Sequence, residues 1–202
     1  MSKIKICGLR RLTDIEAANR FCPDYVGFVF AKSRRQVSDE EAAVLRKALD
    51  PSIPAVGVFI NDSVEHMAAL VRDGIIQIIQ LHGDEDETTI ERLRSLCDAT
   101  IIRAVKVSSE SDIQKAQNSS ADYLLLDNTV AGSGQAFSWD QLRACQRPYF
   151  LAGGVNLDNI DAALRWQPFA IDVSSGVETD GWKDAAKMEE MIRRVRRCTS
   201  VE

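Results

Sequence analysis

The chain has no apolar run approaching the ~20 residues that a membrane-spanning helix requires, so no membrane partner is expected. Its five cysteines, Cys7, Cys22, Cys97, Cys145 and Cys198, are odd in number and show no paired zinc-like spacing. That argues against a disulfide framework and against a metal site. Cationic excess is also missing: 25 Lys and Arg stand against 30 Asp and Glu, a formal charge of −5. A broad surface for a nucleic-acid backbone is therefore not expected, although a small anion needs only a few local donors. The opening Met1–Ile6 is too short and too charged for a secretory leader. A cytoplasmic location is the plain expectation. Low-complexity tracts, Gly/Ser linkers and a second charge regime are likewise lacking.

What is present is an ordinary globular composition, 45% apolar and 27% charged over 202 residues, within the range one hydrophobic core can serve. A single domain over residues 1–202 is expected. Apolar runs alternate with longer segments of helical spacing, the pattern of repeated βαβ units. Strands are expected at 3–7, 24–30, 54–60, 76–81, 100–107, 122–127, 148–152 and 169–173. Among the helices, Ser38 and Glu41 form a capping-box signal before Asp39–Leu49. Ile90, Leu93 and Leu96 align on Thr88–Leu96, and Met188, Met191, Ile192 and Val195 align on Asp184–Val195. The arginines of that last segment are expected to solvate an outer helix and complement its dipole. Eight strands, each followed by a helical segment, favour an α/β fold of (β/α)8 TIM-barrel type over a doubly wound sheet.

Such barrels handle substrates at the carboxyl ends of their strands. The first expected strand ends in Cys7 and the sixth in Asp127. Cys7 shares strand parity with Lys5, and Asp127 with Leu125 and Tyr123, which would aim both towards the barrel mouth. A thiolate and a carboxylic acid can divide the tasks of removing a carbon-bound proton and protonating a leaving oxygen. The plain alternative is a buried thiol beside Gly8 and a carboxylate that caps the following loop. Three small-residue segments follow strands 6, 7 and 8: Gly132-Ser133-Gly134, Gly153-Gly154 and Ser174-Ser175-Gly176. Exposed backbone N–H groups there, reinforced by helix N-termini, are suited to phosphate. After strand 2, Arg34 and Arg35 offer a guanidinium for a substrate carboxylate, with a solvated loop as the alternative. Gln80 and His82, at the end of strand 4, are possible polar substrate contacts. His66 reads as an ordinary helical surface residue.

Taken in order, these segments resemble the phosphoribosylanthranilate isomerases of tryptophan biosynthesis. Lys5-Ile6-Cys7-Gly8, Gly27-Phe28-Val29-Phe30 with Ser33–Val37, Gln80-Leu81-His82-Gly83, Asp127-Asn128, Leu151-Ala152-Gly153-Gly154 and Asp172–Glu178 carry the likeness across nearly the whole chain. The resemblance implies an Amadori rearrangement of N-(5-phosphoribosyl)anthranilate to 1-(2-carboxyphenylamino)-1-deoxyribulose 5-phosphate without a cofactor or metal, by a monomer or homodimer. It also implies Asp127 as general acid, Cys7 as general base, Arg35 rather than Arg34 on the substrate carboxylate, and phosphate against the three small-residue segments. One departure stands out. Ala131 occupies the first position of the family's usual Gly-Gly-Thr/Ser-Gly stretch, where a Cβ discourages positive φ. A change of loop geometry rather than of reaction is expected from it. The related isomerase of histidine biosynthesis normally implies two catalytic aspartates, whereas strand 1 here ends in Cys7.

Overall fold

A computed structural model describes residues 2–127 and 139–197. Strands β1 (Lys3–Cys7), β2 (Tyr25–Val29), β3 (Ala55–Phe59), β4 (Ile78–Leu81), β5 (Thr100–Lys106), β6 (Tyr123–Asp127), β7 (Tyr149–Ala152) and β8 (Ala170–Val173) pair in sequence order and close into a barrel. Each neighbouring pair is parallel, including β8 with β1. The expectation of a (β/α)8 barrel holds, with strand ends displaced by two residues at most.

Helices cover the outside: α1 (Leu12–Phe21), α2 (Asp39–Ala48), α3 (Val64–Arg72), α4 (Glu87–Leu96), α5 (Glu110–Ala116), α6 (Ile160–Leu164) and α7 (Ala185–Arg197). Their starts follow from local chemistry. Buried Asp14 accepts the amide N–H of Arg10 and of Arg11, at 3.0 and 3.1 Å, and so closes the start of α1 at Leu12. Ser38 and Glu41 close the expected capping box on α2. Ile90 and Leu93 of α4 are buried, but Leu96, where the chain turns extended at Cys97, is 51% exposed. Met188, Met191, Ile192 and Val195 of α7 all pack inward. On its outer side, Arg194 donates to Glu190 and to the Leu157 carbonyl, 2.8 and 2.7 Å away.

Two departures matter for the site. Among the described residues, the sixth unit carries a 3-10 helix, Trp139–Ala144, rather than an α-helix. After β8 the chain forms a two-stranded hairpin, β9 (Glu178–Thr179) with β10 (Trp182–Lys183), before α7 begins. Its turn holds Asp180 and Gly181 at φ 52° and 80°, the left-handed conformations that make Asp-Gly a hairpin signal.

The side-chain alternation of each strand divides the interior. Ile4, Ile6, Val26, Phe28, Ile79, Leu81, Leu124, Leu126 and Ile171 join the helix-facing core. Val56, Ile78, Ile102, Leu125, Phe150, Ala152 and Ala170 form a separate cluster within the barrel. The same parity gives the barrel interior Lys5, Gln80 and Asp172, which are all buried.

Candidate active site

At the carboxyl end of the barrel lies a cavity of about 300 Å³, lined by Cys7, Arg35, Gln80, His82, Asp127 and Asp172 among others. Strand geometry explains the thiol's place there. Cys7 pairs with Gly27 in the register of β1 and β2, and a Cβ on Gly27 would fall 2.8 Å from the Cys7 Sγ. Glycine keeps that space open. Gly8 then turns the chain at φ 82°, and a side chain there would meet the Arg35 Cδ at 2.6 Å. Burial pushes the Cys7 thiol's pKa up, while the charges of Lys5 and Lys183 pull it back. The result is a raised value from opposed causes, in which the nearby cations favour the thiolate that a base requires.

Beneath the thiol, the fully buried ammonium of Lys5 reaches Asp172 Oδ2 at 3.0 Å and Gln80 Oε1 at 2.7 Å. Burial opposes its charge, but Asp172 leads the causes that hold its pKa above the ordinary lysine value. The Gln80 amide nitrogen lies 2.9 Å from His82 Nδ1, and His82 Nε2 lies 3.3 Å from Asp127 Oδ2. The second Asp172 oxygen, Oδ1, is buried without a hydrogen-bond partner among the described residues. A continuous polar path therefore crosses the barrel from β8 through β1 and β4 to β6.

Arg35 approaches from the β2 side. Its Nε and Nη2 donate to the two oxygens of Glu178, at 2.7 and 2.9 Å, a bidentate pair. Lys183 Nζ reaches the same carboxylate at 2.6 Å and the Ser174 carbonyl at 3.0 Å. Burial would raise the Glu178 pKa, yet the hydrogen bonds from Arg35 and Lys183 hold it at about 2. Arg34 also contacts Glu178, at 3.0 Å, but 59% of its side chain is exposed against 20% for Arg35. Arg35, not Arg34, lines the cavity.

The small-residue segments separate in the structure. Gly153, Gly154, Ser174 and Ser175 line the cavity, with the two glycines at φ 81° and 73°. Gly176 stands behind them. A Cβ there would fall 2.0 Å from the Val155 carbonyl oxygen, and the residue bridges to Asn156. Its glycine lets two mouth loops meet. Neither turn opens directly into a helix, because Asn156–Asn159 precede α6 and the hairpin precedes α7. The helix N-terminus expected behind each is replaced by the turns themselves. Gly132, Ser133 and Gly134 lie outside the described residues, as does Ala131.

Sequence reasoning assigned no role to Lys5, Asp172, Glu178 or Lys183. A signal existed for each. Asp172 is a charge inside an otherwise apolar strand, Lys5 is a charge flanked by Ile4 and Ile6 at the inward parity of Cys7, and Asp180-Gly181 marks the hairpin carrying Glu178 and Lys183. Among the described residues, no group of three or more His, Cys, Asp or Glu is arranged to hold a metal ion. Nor is any helix there long and apolar enough to cross a membrane.

Closed barrel and mouth together define a class: a barrel enzyme whose cavity carries a thiol, a carboxyl group and a rim of glycine and serine turns. Comparison with known proteins names the family within that class. The N-(5'phosphoribosyl)anthranilate (PRA) isomerase family matches residues 4–194. The N-(5'-phosphoribosyl)anthranilate isomerase of Clostridium acetobutylicum is 43% identical over 98% of this chain and 99% of its own. That of Clostridium kluyveri is 45% identical over 97% and 98%. The phosphoribosyl anthranilate isomerase structure from Thermotoga maritima superposes with a TM-score of 0.87 at 33% identity, covering 98% of this chain and all of that one. The chain belongs to the phosphoribosylanthranilate isomerase family.

Proposed function

We propose that this cavity performs the family's Amadori rearrangement with Asp127 as general acid and Cys7 as general base. The chain is an isomerase that converts N-(5-phosphoribosyl)anthranilate to 1-(2-carboxyphenylamino)-1-deoxyribulose 5-phosphate. The observation that carries the assignment of roles is that Cys7 and Asp127, from β1 and β6, line one cavity together.

In this reading Asp127 gives its proton to the furanose ring oxygen as the C1′–O bond breaks, and the anilino nitrogen's lone pair forms a protonated imine. The cationic imine acidifies the C2′–H bond, so a modest base suffices. The Cys7 thiolate takes that proton, and the bonding electrons move into C1′–C2′ to give a neutral enolamine. The enolamine then loses its O2′ proton and gains one at C1′, leaving the aminoketose. Oxidation at C2′ balances reduction at C1′, so no external redox partner, metal or nicotinamide enters.

Arg35 is assigned the substrate carboxylate through the guanidinium edge that Glu178 does not occupy. The backbone around Gly153, Gly154, Ser174 and Ser175 is assigned the phosphate, joined by Gly132, Ser133 and Gly134, with Gly176 shaping the loop junction. His82 faces the substrate space, while the Gln80 amide is engaged on both sides by Lys5 and His82. The enzyme is taken to act in the cytoplasm as a monomer or homodimer, with neither nucleic acid nor membrane as partner.

Freshly prepared phosphoribosylanthranilate, followed by its anthranilate fluorescence with a metal chelator present, tests the reading directly. Prompt turnover is expected. Folded protein without turnover would overturn it, and turnover abolished by the chelator would overturn its metal independence.

A further inference from the structure

Lys5, Gln80 and His82 are connected in a way that substrate contact alone does not require. Lys5 carries only donors, so the Gln80 atom 2.7 Å from its ammonium must be the carbonyl oxygen. That fixes the orientation of the amide. Its NH2 group then faces His82 Nδ1 at 2.9 Å, and a nitrogen that accepts a hydrogen bond cannot itself carry the proton. The neutral imidazole is therefore held with its proton on Nε2, the atom 3.3 Å from Asp127 Oδ2. One buried ammonium thus selects, two residues away, which face of histidine meets the carboxyl group.

We propose that Lys5, Gln80 and His82 form a positioning relay that aims the His82 Nε2–H at Asp127, 3.3 Å away, as a donor for the carboxylate that forms, and couples it to the thiol side of the cavity. The inference rests on the acid and base roles given above to Asp127 and Cys7. As Asp127 releases its proton to the ring oxygen, negative charge develops on the carboxylate, and the His82 Nε2–H stabilises that charge. The same Lys5 occupies the inward position directly below Cys7 on β1, so its charge also favours the thiolate. Among the described residues, the charged and titratable groups around this line are Lys5 and Cys7 from β1, Asp172 from β8, Lys32 and Arg35 from the loop after β2, Lys183 of β10, and Lys106 at the end of β5, paired in register with Asp127. Gln80 is the neutral link, which makes it the place to cut.

Gln80→Met keeps a side chain of similar length and removes both polar contacts without touching any group assigned to proton transfer. It is expected to lower kcat by roughly 10- to 100-fold while changing KM little, since the lost interaction strengthens as charge develops. One limb of the kcat–pH profile should move upward by about one pH unit, because a carboxylate losing a donor becomes harder to ionise.

A double-mutant cycle separates this proposal from its foundation. If the relay acts through Asp127, Gln80→Met should cost almost nothing further in an Asp127→Asn background. Full additivity there, or a Gln80→Met enzyme with wild-type kcat and an unmoved pH profile, would overturn the relay while leaving the roles of Asp127 and Cys7 intact. Near-normal turnover in folded Asp127→Asn would instead overturn the acid assignment and the relay with it. Lys5→Met, if it folds, should slow alkylation of Cys7 near neutral pH, with the Cys7→Ser protein as the blank. An unchanged rate would remove the thiol half of the proposal; if Lys5→Met does not fold, Gln80→Glu, whose carboxylate offsets the Lys5 charge, should slow the same alkylation, and an unchanged rate there removes that half.

Discussion

The two ends of this barrel are built by the same eight strands, yet they are opposites in chemistry. At the amino end, Tyr25, Tyr123, Phe150 and Phe169 close the interior: Tyr123 stacks on Phe169 at 4.5 Å between ring centroids, and Phe150 meets Tyr25, Phe169 and Tyr123 at 5.6, 5.6 and 5.7 Å. Lys3 lies over this plug, 5.0 Å from the Phe169 ring. At the carboxyl end, the ion pairs Lys5–Asp172 and Lys183–Glu178 are buried on either side of the Cys7 thiol, which feels the charge of both lysines. Aromatic faces need no partner of opposite charge, so the plug gains directly from burial. Buried charges are costly to desolvate, and their mutual attraction only partly offsets that cost. The barrel thus divides its labour, with apolar packing at one end and chemistry at the other.

The sharpest way to break that division is at Cys7. Cys7→Ser retains a small polar side chain but replaces the thiol with a hydroxyl that is a poor base near neutrality. Steady-state assays should show kcat reduced roughly 10²–10⁴-fold, with thermal unfolding barely moved. A folded serine variant with near-normal turnover would remove Cys7 from the reaction and weaken the contrast between the two ends.

The opposite substitution belongs to the plug. Phe150 is 1% exposed, and Phe150→Ala should lower unfolding free energy by about 3–5 kcal/mol in denaturant titrations. Turnover per folded molecule should stay close to wild type. Lost turnover with unchanged stability would mean that the plug reaches the chemistry and that the two ends are not separate.

Within the mouth, Arg35→Ala should weaken a substrate analogue that bears the carboxylate by roughly 10- to 100-fold, the scale of a charge-assisted pair. An analogue carrying only the phosphate should lose far less. Inhibition constants for the two analogues make the comparison, and an equal loss for both would sink the carboxylate assignment. Arg34→Ala should matter less, since Arg34 stands outside the cavity.

The smallest expected effect concerns acid stability. Glu178 is depressed in the folded protein from 4.5 to about 2, so its ion pairs contribute stability that is fully present above about pH 4.5. That contribution fades as pH falls towards 2, because protonation costs more in the folded state than in the unfolded one. Unfolding measured across this window should lose part of its pH dependence in Glu178→Gln. An unchanged slope would show that the mouth network contributes nothing to acid stability.

Much of this was legible in the sequence, for identifiable reasons. Strand alternation located all eight strands, and parity alone aimed Cys7 and Asp127 at one mouth. Arg35 was separated from Arg34 only by the likeness of Ser33–Val37 to a known loop, and the structure adds that Arg35 is the more buried of the two. Leu96 shows the limit of periodicity: the pattern assigned it to the packing face, but a residue at a helix end is buried only if a neighbour extends over it. Gly176 shows another. It belongs to the expected phosphate segment by composition, yet its lack of a Cβ is needed against Val155.

The repeated βαβ grammar, the strand that carries each candidate group and the family to which the motifs point are all written in the order of residues. These are properties of local periodicity and of residue order, which short-range sterics and hydrophobic patterning set. Folding of the whole barrel is what brings Arg35 to Glu178 from 143 positions away, sets Lys5 between Asp172 and Gln80, and turns His82 towards Asp127. Those contacts depend on barrel closure and shear, which bring distant strand ends within hydrogen-bonding distance while leaving no trace in the spacing of residues along the chain.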